Sequence, residues 1–274
     1  GLYFADEAIL NMELVTSLKK PTGFFDPSNP EERGSKDLTK NEDEDKVVTT
    51  EKAARSLRSP MLSFSNTDMA FRDDLLVAGS YHGFNMYKID KDGIPNLLSS
   101  IVCPGGQGDV SIVGDLLIMS VEQLRGRLDC GREGVGRDAS PERFRGIRIF
   151  DISDLSRPKQ VGAVQTCRGS HTHSVVSGPS EDGKIIVYNS GTASVRDEEE
   201  LEQCIGNIPG DERTALFRID IIEIPISNPS ESKIVSSPAV FADLETGALA
   251  GLWRGGDHGD ETQDTSRTDQ CHDI

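Results

Sequence analysis

The chain repeats one pattern of short apolar strands and polar turns at least three times, and this repetition restricts its fold more than any other feature. Each copy opens with a polar residue, an apolar strand, a turn and a second apolar strand. The copies open at Asp68, Asp109 and His173, and a fourth begins at His272. One such unit cannot bury its faces without neighbours, so a repeat of strands indicates a propeller or a solenoid. We predict an all-β fold, a β-propeller built from four-stranded antiparallel blades.

The rest of each copy supplies a third strand, a turn and an outer strand. The third strands are aromatic or aliphatic, and the one in the last complete copy is predicted over residues 216–222. Proline and short polar residues follow each third strand and favour a tight reversal of the chain. Three complete blades are predicted near residues 68–103, 109–167 and 173–241, with the next blade starting at 272.

Residues 1–60 differ from the propeller region, residues 61–274, and form a separate N-terminal segment. Residues 12–18 are similar to the outer strands but have no inner strands before them. Propellers are commonly closed by a terminal strand that completes a blade from the other end of the chain, because closure removes exposed sheet edges. The remainder of the segment is polar and has an acidic run at 42–45, which predicts an irregular surface excursion.

The longest inserts occupy equivalent positions in the copies. They separate the second and third strands at residues 122–145 and 191–215, and another long stretch lies between Val240 and His272. In a four-stranded antiparallel blade, the second-to-third loop and the connection to the next blade lie on the same face. Loops that collect on one face of a repeat protein typically form its binding side. The sequence therefore predicts one loop-rich binding face.

Four of the five cysteines are equivalent under the repeat. Cys103 and Cys167 follow outer strands, whereas Cys130 and Cys204 lie in the inserts of the blades that come next. One rule therefore predicts the disulfides Cys103–Cys130 and Cys167–Cys204, with free buried thiols as the alternative. Cys271 occupies the position of Cys103 and Cys167 again, so its partner is expected in the next blade. Disulfides would place the chain outside the reducing cytosol.

The charge and hydropathy of the chain disfavour two classes of partner. Its 46 acidic and 29 basic residues give a net charge of −17, which repels nucleic-acid phosphates and anionic lipid headgroups. No apolar run is long enough to span a bilayer, so no transmembrane segment is predicted. We expect no nucleic-acid partner. Cationic proteins or divalent ions would be attracted, although the same charge also serves solubility.

The candidate binding residues are the polar residues at the start of the innermost strands. Asp68, Asp109, His173 and His272 are expected near the mouth of the central channel, and His171 can point the same way as His173 if that segment is extended. Together these five residues are a candidate site for a divalent metal such as zinc or non-haem iron. The alternative, which we favour, is that they hydrogen-bond to backbone groups and channel water. No cofactor and no catalytic residue are therefore predicted.

Trp253 is a candidate partner contact, and an acidic run is a candidate ion site. Trp253 is the only tryptophan and can anchor a partner, although packing beneath the long loop would explain it equally well. The acidic run at residues 197–200, followed by Glu202, is interpreted as a solvated face.

The sequence of residues 144–154, with Pro158 after it, is similar to the repeat of a known protein family. It resembles the bacterial LVIVD-repeat β-propeller proteins, whose repeat is named for its third strand and continues into an Asp-Ile-Ser turn. Residues 166–174 and 269–274 are also similar to larger extracytoplasmic members, and the similarity extends over most of residues 12–274. The resemblance implies a propeller of seven blades when complete, exported from a bacterial cytoplasm. It identifies no catalytic residues in this chain, because most members have no assigned activity. Those members are longer than this chain.

These features favour a non-catalytic function. We expect an extracytoplasmic protein, periplasmic or secreted, that binds another protein or acts as a scaffold through its loop-rich, disulfide-linked face. The partner is expected to be another protein within a larger envelope complex. The alternative is a metal-dependent enzyme or sensor with a His/Asp site at the channel mouth.

Overall fold

The computed structural model describes residues 8–18, 21, 66–136, 138–205, 214–240, 245 and 271–274. These residues contain three four-stranded antiparallel sheets, one 3₁₀ turn at Pro229–Glu231 and no α-helix. The first sheet comprises β1 (Asn66–Arg72), β2 (Leu75–Ser80), β3 (Gly83–Ile89) and β4 (Pro95–Val102). The second comprises β5 (Val110–Val113), β6 (Leu116–Val121), β7 (Gly146–Asp151) and β8 (Lys159–Gln165). The third comprises β9 (Thr172–Ser177), β10 (Lys184–Ser190), β11 (Asp220–Pro225) and β12 (Lys233–Ser236).

The three sheets are the blades of a β-propeller, which confirms the predicted fold class. Strands that follow one another in the chain are neighbours in every sheet, so each blade is a simple meander. The first strands of successive blades also contact one another, β1 against β5 and β5 against β9. The blades therefore stand side by side with their first strands at the hub. We refer to them as blades one, two and three.

The apolar core of the described residues lies between the blades, and blade two is covered on both faces, by blade one and by blade three. The middle strand β6 shows how this follows from strand periodicity. Leu117 and Met119 pack in the cluster between blades one and two, whereas Leu116 and Ile118 pack in the cluster between blades two and three. Each of these four side chains contributes about 1.5–3 kcal/mol through burial. Blade two is thus stabilised from both sides.

Two equivalent glycines show the repeat at the level of the backbone. Gly83 and Gly146 begin the third strands of blades one and two, with φ angles of 133° and 142°. A Cβ at either position would lie 2.0 Å from a carbonyl oxygen of the adjacent outer strand, Ile101 in blade one and Val164 in blade two. Only glycine permits both this backbone angle and this close approach.

The structure departs from one strand prediction and leaves another untested. Residues 12–18 show no strand pairing among the described residues, and Met12, Leu14 and Val15 are exposed. Their role as an outer strand that completes another blade stays a prediction. The third strand of blade three begins at Asp220 instead of residue 216. Phe217 adopts a φ of 51°, which is incompatible with an extended strand at that position.

Some predictions fall where the structure gives no description. The acidic run at 42–45 and Trp253 lie outside the described residues. Within the described part of the chain, no helix is long and apolar enough to cross a membrane.

Candidate functional site

The residues that open the innermost strands link successive blades at the hub. The backbone N–H of Val110 donates to Asp68 Oδ2 at 3.0 Å, which joins blade two to blade one. The backbone N–H of His173 donates to Asp109 Oδ2 at 2.9 Å, which joins blade three to blade two in the same way. A carboxylate at this position therefore accepts a backbone hydrogen bond from the start of the next blade. This explains structurally why an aspartate leads the strand.

His173 and Asp109 form a buried pair whose charge is suppressed. The His173 ring lies 2.8 Å from Ser120 Oγ and 3.4 Å from Asp109 Oδ2 through Nδ1, while Nε2 is fully covered. Burial lowers the pKa of His173 to about 4. Burial also raises the pKa of Asp109 to about 7, with a further contribution from nearby Asp68. Both shifts favour the neutral forms, so this pair acts as a hydrogen-bonded link rather than a strong ion pair.

Replacement of Asp109 by asparagine is expected to remove a pH-dependent loss of stability. Because the folded pKa of Asp109 lies above that of an unfolded aspartate, its protonated form stabilises the fold at low pH, and this contribution is lost as the pH rises towards 7. Asparagine can still accept the His173 N–H. We therefore compare the free energy of unfolding of Asp109→Asn with that of the original chain. From pH 5 to pH 8, the difference should shift by about 2 kcal/mol in favour of the variant.

Urea unfolding at the two pH values measures this gain directly. Asp92→Asn, at an exposed turn between β3 and β4, is the control and should follow the original chain. Parallel pH profiles for Asp109→Asn and the original chain would contradict the assignment.

His171 and His272 form a second cluster, apart from the hub bonds. Their ring centroids are 4.2 Å apart, with an interplanar angle of 47°. His171 Nδ1 lies 2.8 Å from Glu122 Oε2, and His272 Nδ1 lies 2.8 Å from Asp273 Oδ2. Two imidazoles and two carboxylates thus meet where blade two, blade three and residues 271–274 adjoin.

The predicted five-residue site is therefore divided into two groups. Asp68, Asp109 and His173 are engaged in links between blades, whereas His171 and His272 face each other in the second cluster. Sequence reasoning did not single out Glu122 or Asp273 as partners of these histidines. Glu122 has no motif around it, and its role follows only from a tertiary contact, in which the backbone N–H of Ser170, just before β9, donates to the carbonyl of Val121 at the end of β6. Asp273 directly follows His272 in the sequence, and this adjacency was a signal that could have identified it as a partner.

Two disulfides connect the long inserts to the preceding blades. Cys103 is bonded to Cys130 and Cys167 to Cys204, the pairs that the repeat predicts. Each joins the end of one blade to the insert of the next. Among the described residues, Cys271 forms no disulfide.

A buried carboxylate joins the inserts of blades two and three. The side chain of Glu200 is only 1% exposed, and its Oε1 lies 2.7 Å from Arg143 Nη1. Its Oε2 lies 3.0 Å from Arg196 Nε, and the backbone N–H of Ser140 donates to Oε1 at 2.9 Å. The interpretation of residues 197–200 as a solvated run is wrong at Glu200, because Arg143 from the other insert and Arg196 from the same insert enclose its carboxylate. Nearby Arg145 is also buried, which lowers its pKa to about 9.

An open groove lies between the first residues of the two inserts. It has a volume of about 410 Å³ and is lined by residues 122–125 on one side and 192–194 on the other. Leu124 is 43% exposed beside it. The groove is thus bordered by an accessible apolar side chain on loops that the disulfides and Glu200 hold in place.

No family model matches the sequence, and no curated protein matches it. Solved structures with a similar fold include Sqt1 of Saccharomyces cerevisiae, with 8% identity and a TM-score of 0.41 over 65% of this chain and 36% of that one. The β-propeller domain of Cps50 (Swd1) from Myceliophteria thermophila has 11% identity and a TM-score of 0.35, over 84% of this chain and 56% of that one. Hydrazine synthase of Kuenenia stuttgartiensis has 11% identity and a TM-score of 0.38, over 63% of this chain and 36% of that one. The chain therefore spans about a third to just over half the length of these proteins.

Proposed function

We propose that this chain is a non-catalytic propeller that binds another protein through its loop-rich face. The observation that carries the proposal is the construction of that face. Inserts from two consecutive blades are held by two disulfides and by the buried Glu200, and an accessible groove with Leu124 at its edge lies between them. A rigid scaffold that presents variable loops is suited to recognition of a partner.

The proposed location is extracytoplasmic. Two disulfides support it, because such bonds form and persist in oxidising compartments. The resemblance of residues 144–154 to the LVIVD-repeat proteins supports a bacterial origin and a periplasmic or secreted protein. The partner would then be a further subunit of an envelope complex.

Substitution of Leu124 by aspartate tests the proposal. A charge at the groove should weaken partner binding about tenfold or more, because the introduced carboxylate would lose water in the complex without gaining a partner. Leu97→Asp is the matched control, since Leu97 is 49% exposed on the outer strand β4, away from the inserts. The partner is first identified by a photo-crosslinking residue at position 124 in cells of the native source, and affinity is then measured with the purified proteins.

A second photo-crosslinking residue is placed at position 97 as the control. The two positions then distinguish the outcomes. A specific protein adduct at position 124 and none at position 97 would support the loop-rich face as the binding side. Equal adducts at both positions, or equal loss of affinity from both aspartate substitutions, would contradict it.

A further inference from the structure

His171, His272 and Asp273 bring three potential metal ligands together. Each offers one donor atom, and the three atoms lie within 4.8 Å of one another. Two imidazole nitrogens and one carboxylate oxygen form a ligand set that suits zinc and leaves a position for water or for a ligand from another molecule. We propose that these three side chains bind one Zn²⁺ ion beside the hub.

Glu122 supports this proposal independently of the three ligands. Its Oε2 lies 2.8 Å from His171 Nδ1, so that Nε2 of the same ring is the nitrogen available for a metal. Glu122 is itself held by Thr192, whose backbone N–H and side-chain hydroxyl both donate to Oε1. Histidine ligands in metal sites almost always have such a carboxylate or carbonyl partner on the second ring nitrogen, which orients the ring.

The position of His272 is also fixed by the fold. Its carbonyl oxygen accepts hydrogen bonds from Ser190 Oγ at 3.0 Å and from Thr172 Oγ1 at 3.3 Å. The hydroxyl of Ser174 donates to the carbonyl of Ile274. Three hydroxyl groups of blade three therefore hold residues 272–274 against it, so the convergence of His272 with His171 rests on several contacts.

His173 does not belong to this site, although it is only two residues from His171. Its Nδ1 is occupied by Ser120 and Asp109, and its Nε2 is fully covered. Asp68 and Asp109 accept backbone hydrogen bonds between blades. Within the described part of the chain, the proposed zinc ligands are thus His171, His272 and Asp273. The inference goes beyond the proposed function, because it holds whether or not the loop-rich face binds a protein.

Calorimetric titration of zinc into the metal-stripped 274-residue chain tests the site. We expect one zinc per chain, and a dissociation constant raised at least about tenfold by His171→Ala and by His272→Ala. Glu122→Gln keeps all three ligands and should weaken binding about 10- to 100-fold through loss of ring orientation. His272 lies on an exposed segment, so its replacement tests binding without endangering the fold.

Two controls make the result decisive. Asp92→Asn removes an exposed carboxylate elsewhere, and Cys271→Ser removes the thiol next to His272; both should bind zinc as the original chain does. The proposed ligands contain no sulfur, so the cobalt-loaded chain should show no thiolate charge-transfer band. The proposal is overturned by absence of stoichiometric zinc binding, by binding that survives both histidine substitutions, or by a cobalt–thiolate band.

Discussion

Replacement of Glu200 by glutamine is expected to lower the free energy of unfolding by about 3 to 5 kcal/mol. Glutamine has nearly the same shape but no charge, so Arg143 and Arg196 would lose their shared buried counter-charge. Buried Arg145 would also lose the electrostatic support of this carboxylate. Removal of one member of a buried ion cluster is far more damaging than loss of a surface pair, since the remaining charges cannot be resolvated. Denaturant unfolding at neutral pH measures the change.

Glu199→Gln is the matched control for this experiment. Glu199 is exposed and directly precedes Glu200, so the same chemical change there should alter stability by less than about 0.5 kcal/mol. Limited proteolysis of the inserts provides a second readout, because Glu200 connects residues 140 and 143 of one insert to the other. Equal unfolding midpoints for the two variants would show that Glu200 carries no special role.

Loss of either disulfide is the second large effect that we expect. Cys103–Cys130 spans 27 residues and Cys167–Cys204 spans 37. Opening a loop of this length increases the entropy of the unfolded chain, which corresponds to roughly 3 to 4 kcal/mol of stability for each bond. The paired serine variants of each bond should show this loss in thermal or denaturant unfolding.

Cys271→Ser is the control for the disulfide variants, because Cys271 forms no disulfide among the described residues. Reductant should destabilise the original chain. It should not change the stability of a variant that lacks both disulfides. Alkylation under denaturing conditions without reduction, followed by mass measurement, counts the free thiols. Modification of all five cysteines would contradict both bonds.

The disulfides and Glu200 lie in the part of the molecule that we propose as the binding surface. The disulfides hold each insert to the preceding blade, and Glu200 holds the inserts of blades two and three to each other. A preorganised surface loses less conformational entropy when it binds a partner. We therefore expect Glu200→Gln and the disulfide variants to weaken partner binding as well as stability, whereas Leu124→Asp should weaken binding alone.

Much of the fold was predictable because its signals are local. The alternation in β6, where Leu117 and Leu116 face opposite clusters, is a period-two pattern in consecutive residues. The cysteine pairs followed from equivalence under the repeat, which carries the geometry of one blade over to the next. The late start of β11 is a local departure, because Phe217 has a positive φ that its sequence did not indicate. The outer strand at residues 12–18 shows no pairing among the described residues and stays a prediction.

The candidate site was predictable only in part. Sequence reasoning identified His171 and His272 but grouped them with Asp68, Asp109 and His173, which serve as links between blades. The direction of each side chain at the hub decides this division, and spacing along the chain does not reveal it.

The amino-acid sequence by itself determined the repeat, the strand order within each blade and the partners of four cysteines, because apolar periodicity and equivalence act through neighbouring residues. Only the tertiary structure decided that Glu200 is buried while Glu199 is exposed, and that Glu122 orients His171. The physical reason is that burial and electrostatic environment depend on which residues meet in space. The backbone N–H of Ser140 reaches Glu200 across sixty positions of the chain, and no local pattern records that contact.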